Sequence, residues 1–368
     1  MKAPSDVRRP HLWLLGGVAV VLAAVLFASL RASRTHSDEA AGVLRAAPDD
    51  AWLVLTFDVA AARPLLEPLL RSGGISGATR AAGLGSLSDA CGFEPLEHLR
   101  DLMVAVPEGG EQERDVERGD FGVAFSADLT VQQLAACARK AIAARGGAPV
   151  ASRRGDFVVI GDVSAPDQAR LAYRDGGPFL VGRGSWLDAM VDAAGRASRG
   201  PSPHDVLRAA LAPAGAPARA LVVTALLPKS LRERVRAETD AGPGGAFAGV
   251  LGVERAGAAV TTSDATTAVE VDLRCETAAA CGDVEELIEK GRRGLSGDFA
   301  ARLMGLGPLI DGLSVDAATP GSLFVRTRAP TRDVADVLER LWTRLPARSP
   351  GGAPYVPVPP PPPAGADR

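Results

Sequence analysis

Asparagine is missing from all 368 residues, and lysine occurs only at positions 2, 140, 229 and 290, against 37 arginines. Lysine and asparagine codons are AT-rich, so this bias reads as that of a GC-rich bacterial genome, not as arginine selected for nucleic acid. The net charge of −3 agrees, because a nucleic-acid binder carries a basic excess. Histidine is as scarce: His11, His36, His98 and His204 are scattered, with no H-E-x-x-H and no pair at metal spacing. Gly294-Leu295-Ser296-Gly297 is one residue short of the G-x-S-x-G elbow. The pairs Gly182/Gly184 and Gly305/Gly307 do not complete G-x-G-x-x-G, and there is no Walker lysine. Glu285, Glu286, Asp336 and Glu339 read as solvated carboxylates on helix faces. No catalytic residue, cofactor or metal is therefore expected.

What is present begins with Leu12–Leu30, nineteen residues without a charge. At about 1.5 Å per residue this run spans a hydrocarbon core of roughly 30 Å. Lys2, Arg8 and Arg9 precede it and favour an N-terminus inside, although Arg31 and Arg34 follow. The run is long for a signal peptide, and Leu26 and Leu30 stand where cleavage prefers small residues, so an uncleaved anchor is favoured. Arg8-Arg9 is followed by Pro10-His11 and a very apolar span, which argues against a twin-arginine leader. The expectation is a single-pass protein of the inner (cytoplasmic) membrane, held by the lipid bilayer, with the bulk of the chain extracytoplasmic.

Cys91, Cys137, Cys275 and Cys281 all follow the span, and an even count in an exported chain favours disulfides. Four cysteines allow three pairings. The short CETAAAC gap makes Cys275–Cys281 the natural local pair and leaves Cys91 with Cys137. Metal ligation would need C-x-x-C spacing or nearby histidines, and neither occurs.

The remainder alternates strand-like and helix-like stretches. Strands are expected at Trp52–Phe57, Asp101–Val106, Phe121–Ser126, Phe157–Val163, Ala169–Arg174, Pro178–Gly182 and Ala220–Leu227. Thr130 and Gln133 form a capping box ahead of a helix, and Ser185 should cap another ending at Gly195. Pro64 and Pro68 should restrict the helix after Asp58 to a short piece. GAAVTTS and TAVEVDLRC form a hairpin, with Val269, Val271 and Leu273 inside and Glu270, Asp272 and Arg274 outside. Helices are expected from Ser230, at 282–291 and at 296–306, then strands at LSVDA and SLFVRT and a last helix from Thr331.

The fold class is thus α+β: an N-terminal transmembrane helix, then a duplicated strand–helix–hairpin–helix module with mostly antiparallel sheets. The divisions are 1–11 cytoplasmic leader, 12–30 anchor, 31–50 stalk, 51–196 first module, 197–218 linker, 219–345 second module and 346–368 Pro-rich tail. Slight identity between the halves leaves alternation without duplication open.

Arg-Gly-Asp-Phe occurs at 118–121 and 154–157, each directly before an apolar strand, which is turn chemistry more than an adhesion signal. The charged run 108–120 lacks calcium-loop spacing and reads as a solvated connection. Trp52, Trp186 and Trp342 read as core aromatics. Pro48-Asp49-Asp50 with WLVLTFD, and CGFEPLEHLRDLMVAV, resemble a class of uncharacterised bacterial envelope proteins with one N-terminal anchor and a repeated strand–helix domain. That resemblance brings no activity or site. The expected function is a non-enzymatic binding or scaffold module whose partner is an envelope protein or other surface ligand; the alternative is an envelope hydrolase with an unrecognised site.

Overall fold

The apolar run Ala51–Asp58 forms β1, which lies in the middle of the sheet. It has little polar alternation because both faces are covered: Val54 packs on one side, Leu55 and Phe57 on the other. The computed structural model describes residues 42–71, 90–93, 98–107, 122–196, 201–211, 217–230, 232–233, 251–303, 305–317 and 319–344. The expected span 12–30, the run 108–120, the first Arg-Gly-Asp-Phe, the tail, His11, His36 and most of the helix from Ser230 lie outside the described residues. Among the described residues, no helix is long and apolar enough to cross a membrane.

Asp58 closes β1 and caps α1 (Val59–Arg71), its Oδ1 accepting the Ala61 amide at 2.9 Å. The helix continues through Pro64 and Pro68, against the expectation of a short piece. An interior proline costs about 3 kcal/mol. Packing of Leu65 against Ala329, Val334 and Ala335 offsets that cost. β2 (Leu99–Pro107) and β3 (Gly122–Ala127) continue as a meander, followed by α2 (Val131–Ala144). The predicted capping box forms: Thr130 Oγ1 accepts the Gln133 amide at 3.2 Å, and Gln133 Oε1 accepts the Thr130 amide at 2.9 Å.

β4 (Pro149–Arg154) is a strand the sequence does not announce, since every residue in it is exposed. As the outermost strand it tolerates Pro149 and its arginines. β5 (Phe157–Asp162), β6 (Arg170–Tyr173) and β7 (Phe179–Gly182) lead back, and β7 pairs with β3. α3 (Gly184–Gly195) follows. Ser185 was expected to cap it; instead Arg183 holds the N-cap position without a side-chain bond, and Ser185 is exposed inside the first turn. α4 (Pro203–Leu211) is capped by Ser202, whose Oγ accepts the Asp205 amide at 3.2 Å while Asp205 Oδ2 accepts the Ser202 amide at 2.7 Å.

The second half opens with β8 (Leu221–Leu226), then the expected hairpin of β9 (Val253–Thr262) and β10 (Thr266–Cys275). One helix, α5 (Ala278–Ser296), replaces the start of the two expected over 282–306. Gly291 and Gly294 lie within it, at about 1 kcal/mol each relative to alanine, without breaking it. α6 (Phe299–Leu303), α7 (Gly307–Asp311), β11 (Ser314–Asp316), β12 (Ser322–Pro330) and α8 (Thr331–Arg344) complete the order.

Among the described residues, twelve strands join in one antiparallel sheet, ordered β11-β12-β10-β9-β8-β1-β2-β3-β7-β6-β5-β4. The fold is mixed α+β. Each half winds alike: a three-strand meander, a helix, and a last strand returning beside the third. The halves meet where β1 pairs with β8, with Leu55 opposite Val223. One face of the sheet carries α1, α2, α5, α7 and α8; the other carries α3, α4 and residues 43–47. Val43, Ala46 and Ala47 are buried against Trp186 and Leu187, so the body begins inside the stretch expected to be stalk.

Covering of both faces also corrects the reading of β10. Asp272, expected outside, is 2% exposed and accepts from Arg274 Nη2 at 3.0 Å on the α4 side of the sheet.

Candidate functional site

The β4–β5 turn is Gly155-Asp156, with Gly155 at φ 55°, so the second Arg-Gly-Asp-Phe is a hairpin turn as its context predicts. Its arginine is exposed but ion-paired. Arg154 grips Asp192 of α3 with two bonds, Nε to Oδ1 at 3.2 Å and Nη2 to Oδ2 at 2.8 Å, and Nη1 lies 3.5 Å from Asp188. Arg196, just past α3, bonds Asp49 at 2.8 Å. Between the turn and the end of α3 lies an open cleft of about 300 Å³, lined by Arg154, Gly155, Asp156, Phe157, Val191, Asp192, Gly195 and Arg196. Its apolar floor is Phe157, 1% exposed, with the Arg174 guanidinium 4.9 Å from the ring centroid.

The hydrogen bond from Arg154 holds the Asp192 carboxyl below the usual carboxylate range, and the same bond raises the Arg154 guanidinium. Both groups therefore keep their charges through the neutral range. The lining has no hydroxyl, thiol, imidazole or amine. Such a cleft can recognise a charged or zwitterionic group through fixed ions.

The cysteines lie elsewhere. Cys91, ahead of β2, is bonded to Cys137 of α2 (Cα–Cα 4.4 Å), and Cys275 at the end of β10 is bonded to Cys281 of α5 (5.5 Å). Neither pair lines the cleft. Among the described residues, no group of three or more His, Cys, Asp or Glu could hold a metal.

His204 is 2% exposed: its Nε2 donates to the Ala51 carbonyl at 2.8 Å, and Nδ1 lies 2.8 Å from Thr224 Oγ1. It ties α4 to β1 and β8, a structural role. His98 lies with its ring 5.9 Å from Phe93, edge on. Trp186 is a core aromatic whose Nε1 donates to the Ala105 carbonyl at 3.1 Å; Trp52 is only half-buried. Burial draws the Arg208 guanidinium of α4 down to about 10, against the opposing charge of Asp205.

Arg154 and Asp192 were not legible as a pair. They are 38 residues apart, and each alone reads as an ordinary surface charge.

No family model matches the chain, and no curated protein matches it. Among solved structures it is similar to crystal forms of TP0453. Form III has 9% identity and a TM-score of 0.43, over 83% of this chain and 100% of that one. Form IV has 10% identity and a TM-score of 0.42, over 80% of this chain and 96% of that one. A likeness this slight carries no argument about function.

Proposed function

We propose that this chain is a membrane-anchored extracytoplasmic binding or scaffold module. In this reading residues 12–30 span the inner membrane with the N-terminus inside, and two copies of an α+β module face outward as one body. Its partner is an envelope protein or other surface ligand, not a nucleic acid, and the module works without a cofactor or enzymatic turnover. The observation that carries the reading is cysteine usage: all four cysteines are consumed in two disulfides, as suits an oxidising compartment. The shared winding of the two halves supports duplication. The ion-paired cleft, with no hydroxyl, thiol or imidazole among its lining residues, supports recognition over catalysis.

Alkaline phosphatase fused after Leu345 tests the topology, and activity is expected. A silent fusion there, with an active cytoplasmic reporter at the same point, would reverse the orientation. Crosslinking and pull-down from native membranes should recover a defined partner. Substrate turnover that survives rigorous purification and vanishes with one buried polar substitution would replace the binding reading with an enzymatic one.

A further inference from the structure

Among the described residues, α3 and α4 cover their face of the sheet as far as β10, and the helices against β12 pack on the other face. Directly opposed residues share a face. Arg255 stands opposite Arg274, Glu270 opposite Arg326, and Ala268 opposite Arg328. Ala259, the partner of Glu270 on β9, packs with Leu211 of α4, so this set belongs to the α4 side. Arg255, Arg274, Arg326 and Arg328 are all exposed.

The acids on this face are partly spoken for: Glu270 pairs with Arg219 at 3.0 Å and Asp272 with Arg274 at 3.0 Å, while Asp316 stands at the edge opposite Phe324. Arg255, Arg326 and Arg328 have no carboxylate partner among the described residues, and Arg326 lies over Phe324, 4.3 Å from the ring centroid. Over α3, by contrast, Arg154, Arg170 and Arg196 are each ion-paired. Among the described residues, guanidinia without a carboxylate partner thus gather at one end of this face, in a chain whose net charge is −3.

The chain also enters the body on this face, since Val43, Ala46 and Ala47 pack against Trp186, Leu187 and Met190. Eleven residues, 31–41, separate that entry from the apolar run 12–30. Fully extended, they reach at most about 40 Å. The bilayer and the arginines are therefore tied to the same side of the body by a short tether.

We propose that this arginine face docks on anionic phospholipid head groups of the bilayer that holds the chain, an inference that rests on the anchor reading above. A guanidinium presents a planar fork of donors that matches two phosphate oxygens. Each basic residue close to an anionic surface contributes about fivefold to its attraction, so these three arginines supply about a hundredfold preference for the docked state. Salt weakens it, because the Debye length falls to about 3 Å at 1 M.

The full chain reconstituted into phosphatidylcholine vesicles, with and without one-third phosphatidylglycerol, is floated and then treated with phenylglyoxal, and arginine modification is mapped by mass spectrometry. The chain should float with both vesicle types. Arg255, Arg326 and Arg328 should react at least tenfold more slowly in the anionic vesicles, and high salt should restore their rates. Arg139, exposed on α2 of the opposite face, should react equally in both. In an R326Q/R328Q variant, Arg255 should lose its protection. Failure to float with phosphatidylcholine overturns the anchor. Flotation with both, and equal rates at the three arginines, overturns the docking alone. Protection in native membranes but not in anionic vesicles overturns it in favour of a protein partner.

Discussion

A side chain on Gly122 would start where Met190 already lies: a Cβ built there overlaps Sδ of Met190 and falls 2.8 Å from Cδ1 of Trp186. The absent side chain lets α3 settle onto β3, and with it the Trp186 bond to Ala105. Gly257 does the same for α4, where a Cβ would lie 2.7 Å from Cδ1 of Leu211. α3 and α4, on one face of the sheet, are thus each seated on a glycine.

Gly122→Ala should therefore destabilise the protein by about 1–3 kcal/mol, the usual cost of overpacking. Gly257→Ala should cost less, because the tip of Leu211 can rotate away while the Trp186 ring cannot. Urea denaturation of both variants gives the order. Equal stability of Gly122→Ala and wild type would show that α3 does not sit this closely.

These seats show what the sequence could and could not reveal. Strand runs such as Trp52–Phe57 and the Thr130–Gln133 box were legible because their signals are local: apolar residues in a row, or a hydroxyl three residues before a glutamine. The run through Pro64 and Pro68, the strand at Pro149–Arg154 and the burial of Asp272 were not. The first is decided by a distant segment, α8 laid on α1. The other two are decided by near neighbours that carry no apolar signal, β5 beside β4 and the Arg274 guanidinium two residues from Asp272. The cleft was hidden by distance too, since Arg154 and Asp192 acquire a joint meaning only when the hairpin turn meets α3.

His204 carries a second test. Its ring satisfies the Ala51 carbonyl and Thr224 at once, in a place 2% exposed. His204→Leu removes both bonds and takes the imidazole donor from the buried Ala51 carbonyl, at about 1–3 kcal/mol, while Thr224 Oγ1 keeps the Val54 carbonyl at 3.3 Å as an acceptor. The expected loss is about 2–4 kcal/mol by denaturant unfolding. Thr224→Val should lose less, because the bond to Ala51 survives. Loss of partner binding without loss of stability would contradict a structural role.

Acid should weaken the fold through exposed carboxylates held by ion pairs and hydrogen bonds. Arg154 holds Asp192 below the normal carboxylate range, Arg292 does so for Glu289, and the Ser164 hydroxyl does so for Asp162. A carboxylate with a depressed folded pKa adds stability above its unfolded value of about 4, and that stability is lost as pH falls through the folded value. Tm should be flat from pH 7 to about pH 5 and should fall below about pH 4. The fall should be shallower in Asp192→Asn. Solvent screening keeps each contribution small. A Tm that rises on acidification below pH 4 would reverse the sign and remove the argument.

The two disulfides should differ in weight. Cys91–Cys137 closes a separation of 46 residues, Cys275–Cys281 one of 6. In the chain-entropy account a crosslink stabilises by restricting the unfolded chain, and the effect grows with the logarithm of the loop. The long loop then contributes about 4 kcal/mol and the short one about 2 kcal/mol. The double substitution of Cys91 and Cys137 by alanine should shift the denaturation midpoint about twice as far as that of Cys275 and Cys281. Under dithiothreitol the wild type should lose more stability than either variant. Non-reducing peptide mapping should recover these two crosslinked peptides and no others. Four free thiols in protein taken from native membranes would remove the disulfides, and with them the strongest support for an extracytoplasmic body.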